Sequence, residues 1–174
     1  PEDADFAIYE MGAGKPGDIA YLTDIVRPDV ALVNNIAAAH LERMGSLLGV
    51  ARTNGAIYAA LGAGGTAVVN ADDAFGEWFQ QEVIRARDSG RRVLRFGLDA
   101  SAEVGARDIR PDARGSRFVL LTPQGEVEVQ LALPGRHNVR NALAAAAIGL
   151  ACGVALEDIA AGLEKEAGQK LAFS

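Results

Sequence analysis

The chain has 174 residues, the size of one ordinary α/β domain and too few for two full-sized domains. Apolar residues make up 49% and charged residues 23%, which allows a sizeable core and excludes a disordered, collagen-like or coiled-coil chain. A formal net charge of −6 excludes the basic surface of proteins that bind nucleic acid or anionic membranes. The single cysteine, Cys152, excludes an internal disulfide, and no apolar stretch reaches the roughly 18–20 residues of a membrane span. We therefore expect a cytoplasmic protein that does not insert into membranes.

The first part of the chain alternates apolar strands with amphipathic helices. The pattern predicts strands over residues 6–9, 30–33, 66–69 and 92–96, and helices over 18–26, 47–61 and 78–89. Strands that alternate with helices in this way are typical of a mostly parallel sheet with flanking helices.

The character of the chain then changes. Residues 117–122 and 126–133 flank the turn Pro123-Gln-Gly125 and predict a small antiparallel β-hairpin. Two helices follow, over 138–153 and 156–163, with Gly153 as the terminator of the first. The sequence thus predicts an α/β fold that combines a parallel sheet with a small antiparallel one. We expect one domain over residues 1–163 and a tail over 164–174.

Polar side chains directly follow the predicted strands of the parallel sheet. They are Glu10, Asn34, Asn35, Asn70, Asp72 and Asp73. Ligands of open parallel sheets bind at the carboxyl ends of the strands, so these residues are candidates for a site. Turn and helix-capping roles explain Asp72 and Asp73 equally well. Glu10 has no such local role, since the Met-Gly-Ala-Gly segment after it needs no carboxylate for its turn.

A histidine and a glutamate provide a candidate metal site. His40 follows the second predicted strand, and by itself it is more typical of a packed or solvent-facing histidine. Glu10 makes a metal-binding role for His40 more favourable. If the two preceding strands are neighbours, they would bring the Glu10 and His40 side chains to one cation. Carboxylate oxygen and imidazole nitrogen together suit Mg²⁺ or Mn²⁺ beside phosphate oxygens.

Five ordered motifs run through the chain, beginning at Glu10, Asn35, Gly45, Asn70 and Gly135. They read Glu-Met-Gly-Ala-x-x-Pro-Gly-Asp-Ile, Asn-Ile-x-x-Ala-His-Leu-Glu, Gly-Ser, Asn-Ala-Asp-Asp and Gly-Arg-His-Asn-Val-x-Asn-Ala-Leu. In this order they resemble the central, ATP-binding domain of the Mur ligases, which has a P-loop NTPase-like fold. Gly-Ala followed by Pro-Gly, in place of Ser-Ser-His, favours the branch that adds D-alanyl-D-alanine over the other branches and over folylpolyglutamate synthase.

The resemblance implies an enzyme of peptidoglycan precursor synthesis. Its members are ATP-dependent amide ligases, and this branch joins D-alanyl-D-alanine to UDP-N-acetylmuramoyl-tripeptide through an acyl-phosphate. Glu10 and His40 match the family's catalytic, Mg²⁺-binding residues, and Asn35 matches a residue that lines the same site. Asn138, Asn141 and His137 match the adenine-side motif, although the His137 ring suits a packing role equally well.

Two departures from the family pattern bear on activity. Asn54 stands where the family carries a lysine that is carbamylated and ligates a second Mg²⁺, so we expect that second site to be lost. The chain also lacks a Gly-Lys-Thr phosphate loop, which we expect, with the first strand of the sheet, upstream of Pro1. The isolated chain should then be an inactive fragment of a ligase. The alternative is a degenerate, non-catalytic homologue that acts as a binding or interaction module.

Overall fold

The computed structural model describes residues 6–11, 15–34, 36, 45–84 and 90–165, which form two small sheets and the helices around them. The parallel sheet has the order β1-β2-β3, and the antiparallel sheet has the order β4-β5-β6. The strands are β1 (Val30–Val33), β2 (Thr66–Asn70), β3 (Arg92–Phe96), β4 (Gly105–Asp112), β5 (Gly115–Thr122) and β6 (Gly125–Leu131). A parallel bridge between Phe96 and Val104 joins the end of one sheet to the start of the other.

The described residues form five helices around these sheets. They are α1 (Asp18–Val26), α2 (Leu47–Ala59), α3 (Gly76–Trp78, continued by a π-helix over Phe79–Ile84), α4 (Arg136–Ala151) and α5 (Leu156–Lys165). The local sequence explains several of their ends. The Ser46 hydroxyl caps α2 by accepting the Gly49 N–H at 3.0 Å, and Gly153 follows α4 in the left-handed conformation with φ 81°.

The central strand β2 is buried on both faces, as its continuous apolar run requires. Successive side chains of a strand point to opposite faces, and here they enter two separate clusters. Val68 joins the cluster between the antiparallel sheet, α4 and α5, with Phe96 and Phe118. Ala67 and Val69 join the cluster under α2 and the π-helix. The parallel sheet is therefore the middle layer, and its strand ends lie between the two helical layers.

Most of the predicted elements are confirmed. β1, β3 and α1 have the predicted bounds, and β2, α2, α4 and α5 agree to within two residues at each end. The predicted helix over 78–89 is confirmed as helical from Gly76 to Ile84, with a π-helical second part, while residues 85–89 lie outside the described residues.

The predicted hairpin is confirmed as β5 and β6. One expectation about the sheets was wrong, and one strand was not predicted. Residues 6–9 do not form a strand: the segment has no regular secondary structure and is exposed, with Ile8 86% exposed. An apolar run favours burial, but a strand also needs a partner, and β1–β3 do not pair with this segment. The antiparallel sheet has a third strand, β4, beyond the predicted hairpin. A register shift between Arg107 and Arg110, with Asp108 at φ 54°, interrupts the alternation by which a strand is recognised.

Candidate functional site

Asn70 ties together the carboxyl ends of β1 and β2. Its side chain is nearly buried, at 5% exposure. The Nδ2 group donates to the Asn34 carbonyl oxygen at 2.6 Å, while Oδ1 accepts the Asp72 N–H at 3.0 Å. Asn70 therefore holds the two loops that leave the sheet side by side.

The phenol of Tyr58 bridges β1 and β2 just before these loops. The Val33 N–H donates to the Tyr58 hydroxyl at 2.9 Å, and that hydroxyl donates to the Val68 carbonyl at 2.7 Å. Burial raises the pKa of Tyr58 well above its ordinary value, against the hydrogen bond from Val33, so the hydroxyl stays protonated and keeps its donor. The ends of the two strands are thus held by a side chain of α2.

Asp73 connects the segment after β1 with the start of α3. Its Oδ2 accepts the Ile36 N–H at 2.9 Å, and its Oδ1 accepts the Phe75 N–H at 2.8 Å. The second bond closes an Asx-turn, in which an aspartate side chain accepts the backbone N–H two residues further along the chain. Both carboxylate oxygens of Asp73 bond to backbone, so its role in this structure is positional.

Asp72 organises the loop that follows β3. Its carboxylate, 7% exposed, accepts the N–H groups of Leu98 at 2.7 Å, Asp99 at 3.0 Å and Ala100 at 2.8 Å. It also accepts from Arg140 Nε at 3.1 Å. Burial acts to raise the pKa of Asp72, but these hydrogen bonds outweigh it and leave the pKa below its ordinary value. Of the two roles that the sequence left open for Asp72, the structure supports the positional one.

The first turns of α4 reach the same edge of the sheet. Arg136 Nη2 lies 2.6 Å from Asp99 Oδ1, and Arg140 Nη2 lies 3.3 Å from Asp99 Oδ2. Together with the bond from Arg140 to Asp72, these ion pairs place the fifth motif against the fourth. Sequence reasoning missed both arginines; their spacing of four residues on a predicted helix, which puts them on one face, was the available signal.

The predicted adenine-side residues lie in this part of α4. Asn138 is half-buried, and its Nδ2 donates to the Pro134 carbonyl at 2.7 Å, which orients the amide. Asn141 is half-buried and His137 is exposed. Exposure disfavours a packing role for the His137 ring.

The predicted metal site is only partly within the described residues. Glu10 is exposed and follows the irregular segment over residues 6–9. His40 and Asn35 lie outside the described residues, so the convergence of Glu10 and His40 stays a prediction. Within the described ranges, no group of three or more His, Cys, Asp or Glu side chains is arranged to hold a metal ion.

A shallow cavity of about 390 Å³ lies away from these motifs. It is bounded by the carboxyl end of α1 and by Asp29 and Gly62, which precede β1 and β2. That is the opposite edge of the parallel sheet. Strand polarity and motif placement favour the carboxyl edge as the site, because ligands of such sheets bind there.

Comparison with known proteins gives the same family that the five ordered motifs indicate. The family model described as the Mur ligase middle domain matches residues 1–149. The chain belongs to this family. No helix in the described part of the Mur ligase middle domain is long and apolar enough to cross a bilayer.

Similar full-length proteins are about three times longer than this Mur ligase middle domain. The UDP-N-acetylmuramoyl-tripeptide–D-alanyl-D-alanine ligase of Escherichia coli (strain K12) is 46% identical over 161 residues, which cover 91% of this chain and 34% of that protein. The enzyme of the same name from Haemophilus influenzae is 42% identical, covering 95% and 34%. The chain thus spans about a third of the length of these relatives.

Solved structures show the same fold. A crystal structure of MurF from Acinetobacter baumannii superposes with a TM-score of 0.82 at 38% identity, covering 91% of this chain and 34% of that one. MurF from Thermotoga maritima, solved in complex with ADP, gives a TM-score of 0.69 at 27% identity, covering 87% and 34%. The predicted fold class, with its parallel and antiparallel sheets, is confirmed.

Proposed function

We propose that this Mur ligase middle domain is the ATP-binding part of an enzyme that joins D-alanyl-D-alanine to UDP-N-acetylmuramoyl-tripeptide in peptidoglycan precursor synthesis. The observation that carries the proposal is the 46% identity, over 91% of this chain, to a relative that bears that activity in its name. We assign the domain to residues 1–163 and a C-terminal tail to 164–174. Because its substrates are nucleotide-linked precursors, we place the enzyme in the cytoplasm.

ATP binds, in this proposal, at the carboxyl edge of the parallel sheet. Asn138, Asn141 and His137 lie on the adenine side, and Asn35 lines the phosphate side. The bond from Asn138 to Pro134 supports this assignment, because it fixes the plane of an amide that can both donate to and accept from a base edge. The ADP complex of the Thermotoga maritima relative is consistent with a nucleotide site in this fold.

Glu10 and His40 are the residues that would hold Mg²⁺. A carboxylate and an imidazole fit a divalent cation that shares its remaining positions with phosphate oxygens and water, and Glu10 is an exposed residue. When bound, the cation neutralises the crowded anionic oxygens of ATP and of the substrate carboxylate. Asn54, half-buried on α2, carries no charge and cannot be carbamylated, so the chain does not fit a second ion held by that position.

A domain exchange tests the proposed reaction. Residues 1–163 replace the matching third of the Escherichia coli relative, and phosphate release is measured with ATP, UDP-N-acetylmuramoyl-tripeptide and D-alanyl-D-alanine. We expect release that depends on both acceptor substrates. Cooperative thermal unfolding and binding of the UDP substrate serve as folding controls. A chimera that passes both controls and releases no phosphate contradicts the proposal.

Cation titration tests the assignment of Glu10 and His40. Mn²⁺ binding to the chain is followed by electron paramagnetic resonance, with Glu10→Gln, His40→Ala and the matched exposed control Glu77→Gln. Loss of one direct ligand should weaken binding by at least about tenfold, since even the loss of an outer-shell partner typically costs 10–100-fold, while the control leaves affinity unchanged. Equal affinity in all four proteins would show that the ligands lie elsewhere.

Asn54 favours a second candidate function, a non-catalytic binding module. An amide in place of an anionic metal ligand is the change expected when catalysis is no longer selected. The Asn54→Lys substitution in the chimera separates the two. Higher phosphate release in the variant supports a ligase with a weakened metal site, whereas nucleotide binding without turnover in both forms supports the module.

A further inference from the structure

Four charged side chains connect α4 to the carboxyl edge of the parallel sheet. We call them the α4 clamp: Asp72, Asp99, Arg136 and Arg140. Arg140 is its centre, because its guanidinium bonds to both carboxylates, to Asp72 at 3.1 Å and to Asp99 at 3.3 Å. Arg136 bonds to the other oxygen of Asp99 at 2.6 Å. One helix face thus has two points of attachment, one turn apart.

The sheet side of the clamp is rigid. Asp72 is almost fully buried and accepts three consecutive backbone N–H groups, so its carboxylate has one defined position. A Cβ on Gly97 would lie 2.9 Å from Asp72 Oδ1, which shows how closely the loop wraps this group. The anchor that Arg140 meets is therefore a fixed point of the fold.

The position of α4 depends on its contact with the fixed carboxylate of Asp72. α4 buries a face rich in alanine, with Ala142, Ala144, Ala146 and Ala147 all fully buried. Val139 and Leu143 are buried on the same helix, and apolar burial of this kind is not directional. The α4 clamp supplies directional contacts in the first turns of α4, which carry Asn138.

Asn138 lies between the two attachment points in sequence. Arg136 and Arg140 stand two residues before and two residues after it on the same helix, so their positions determine where its backbone lies relative to Asp72. Its amide is held separately by the bond to Pro134. Displacement of the first turn of α4 would therefore move Asn138 as a unit away from the ends of β1 and β2.

We propose that Arg140 is a positioning residue for the nucleotide: through Asp72 and Asp99 it sets the distance between Asn138 and the phosphate side of the site. This inference rests on the proposed ATP site. A ligand that must reach both sides at once binds less tightly when that distance changes, because the gain from simultaneous contacts is lost when the geometry no longer permits them. A lysine can bind one carboxylate but lacks the planar fork that meets two.

The kinetic test uses the domain-exchange chimera with Arg140→Met, Arg140→Lys and the control Arg117→Met. Arg117 is an exposed arginine paired with Glu128 on the antiparallel sheet. We expect Arg140→Met to raise the KM for ATP by about tenfold, with kcat and the KM for D-alanyl-D-alanine within about twofold. Arg140→Lys should recover part of the loss, and Arg117→Met should change nothing. An unchanged KM for ATP, or equal loss in every parameter, overturns the proposal.

Two further measurements separate failure of the clamp from failure of the proposed ATP site. Asn138→Ala in the chimera tests the adenine assignment, which fails if the KM for ATP is unchanged. Side-chain amide resonances of Asn138 in this chain, recorded by NMR for the wild type and Arg140→Met, test the clamp without catalysis. We expect a shift of these resonances in Arg140→Met and none in Arg117→Met. Identical Asn138 spectra in wild type and Arg140→Met overturn the clamp whatever the kinetics show.

Discussion

Replacement of Asp72 should destabilise the domain more than any ordinary surface change. The carboxylate accepts three backbone N–H groups and one arginine N–H. Each hydrogen bond to a charged group contributes about 1.5–3 kcal/mol, but four bonds to one carboxylate are not additive. We therefore expect Asp72→Ala to lower the free energy of unfolding by about 3–5 kcal/mol, and Asp72→Asn by about 2–3 kcal/mol, because the amide keeps one acceptor oxygen.

The effect of Asp72 should also depend on pH with a defined sign. Its folded-state pKa is lowered from the ordinary value of 3.8. A carboxyl group with a lowered folded-state pKa contributes stability that is complete above the unfolded-state pKa and is lost as the pH falls through the folded-state pKa. The difference in unfolding free energy between wild type and Asp72→Asn should thus be constant from about pH 7 to pH 5 and shrink below about pH 4.

Urea denaturation followed by circular dichroism measures both quantities. Asp24→Asn, a change of an exposed aspartate on α1, is the matched control and should stay within about 0.5 kcal/mol of wild type. A difference below about 1 kcal/mol for Asp72→Ala at neutral pH would refute the argument that its hydrogen bonds hold the loop after β3. A difference for Asp72→Asn that does not shrink in acid would refute the assignment of the pKa shift.

Two further pairs of substitutions test the packing. A Cβ at Gly115 would lie 2.3 Å from the Leu131 carbonyl oxygen, whereas at Gly125, with a similar positive φ, its nearest neighbour is 3.9 Å away. Gly115→Ala should therefore cost at least about 2 kcal/mol more than Gly125→Ala in thermal unfolding, and equal costs would contradict the steric argument. The Arg91 guanidinium donates to carbonyl oxygens at the ends of α2 and the π-helix, so Arg91→Met should cost about 2–4 kcal/mol. The exposed neighbour Arg92 is the control, and equal midpoints for Arg91→Met and Arg92→Met would contradict this role.

Elements with a strong local pattern could be predicted from the sequence. The apolar run Val30–Val33 and the helical spacing within Asp18–Val26 each indicate an element without knowledge of its tertiary contacts. Continuous burial and helical amphipathicity require characteristic residue types at neighbouring positions. The strand Gly105–Asp112 could not be found in this way. Most of its residues are solvent-accessible, and it forms because β5 offers a free edge, which is a property of the sheet.

The same distinction applies to the site. Asn70 and Asp73 were recognised as polar residues after strands, and the structure brings them to one edge as the order of parallel strands requires. Their hydrogen-bond partners Asn34 and Ile36 are more than 30 residues away and could not be assigned. The convergence of Glu10 and His40 is still a prediction.

By itself, the sequence determined the alternating α/β architecture, the edge of the sheet at which polar motifs gather, and membership of a family through five ordered motifs. These depend on residue type and local spacing, which folding does not alter. Only the tertiary structure decided that Asp72 is a hydrogen-bonded anchor, and that Arg136 and Arg140 join the fifth motif to the fourth. Such roles depend on which groups meet across 26 to 68 residues of chain, and burial together with competing backbone donors selects among the possible partners.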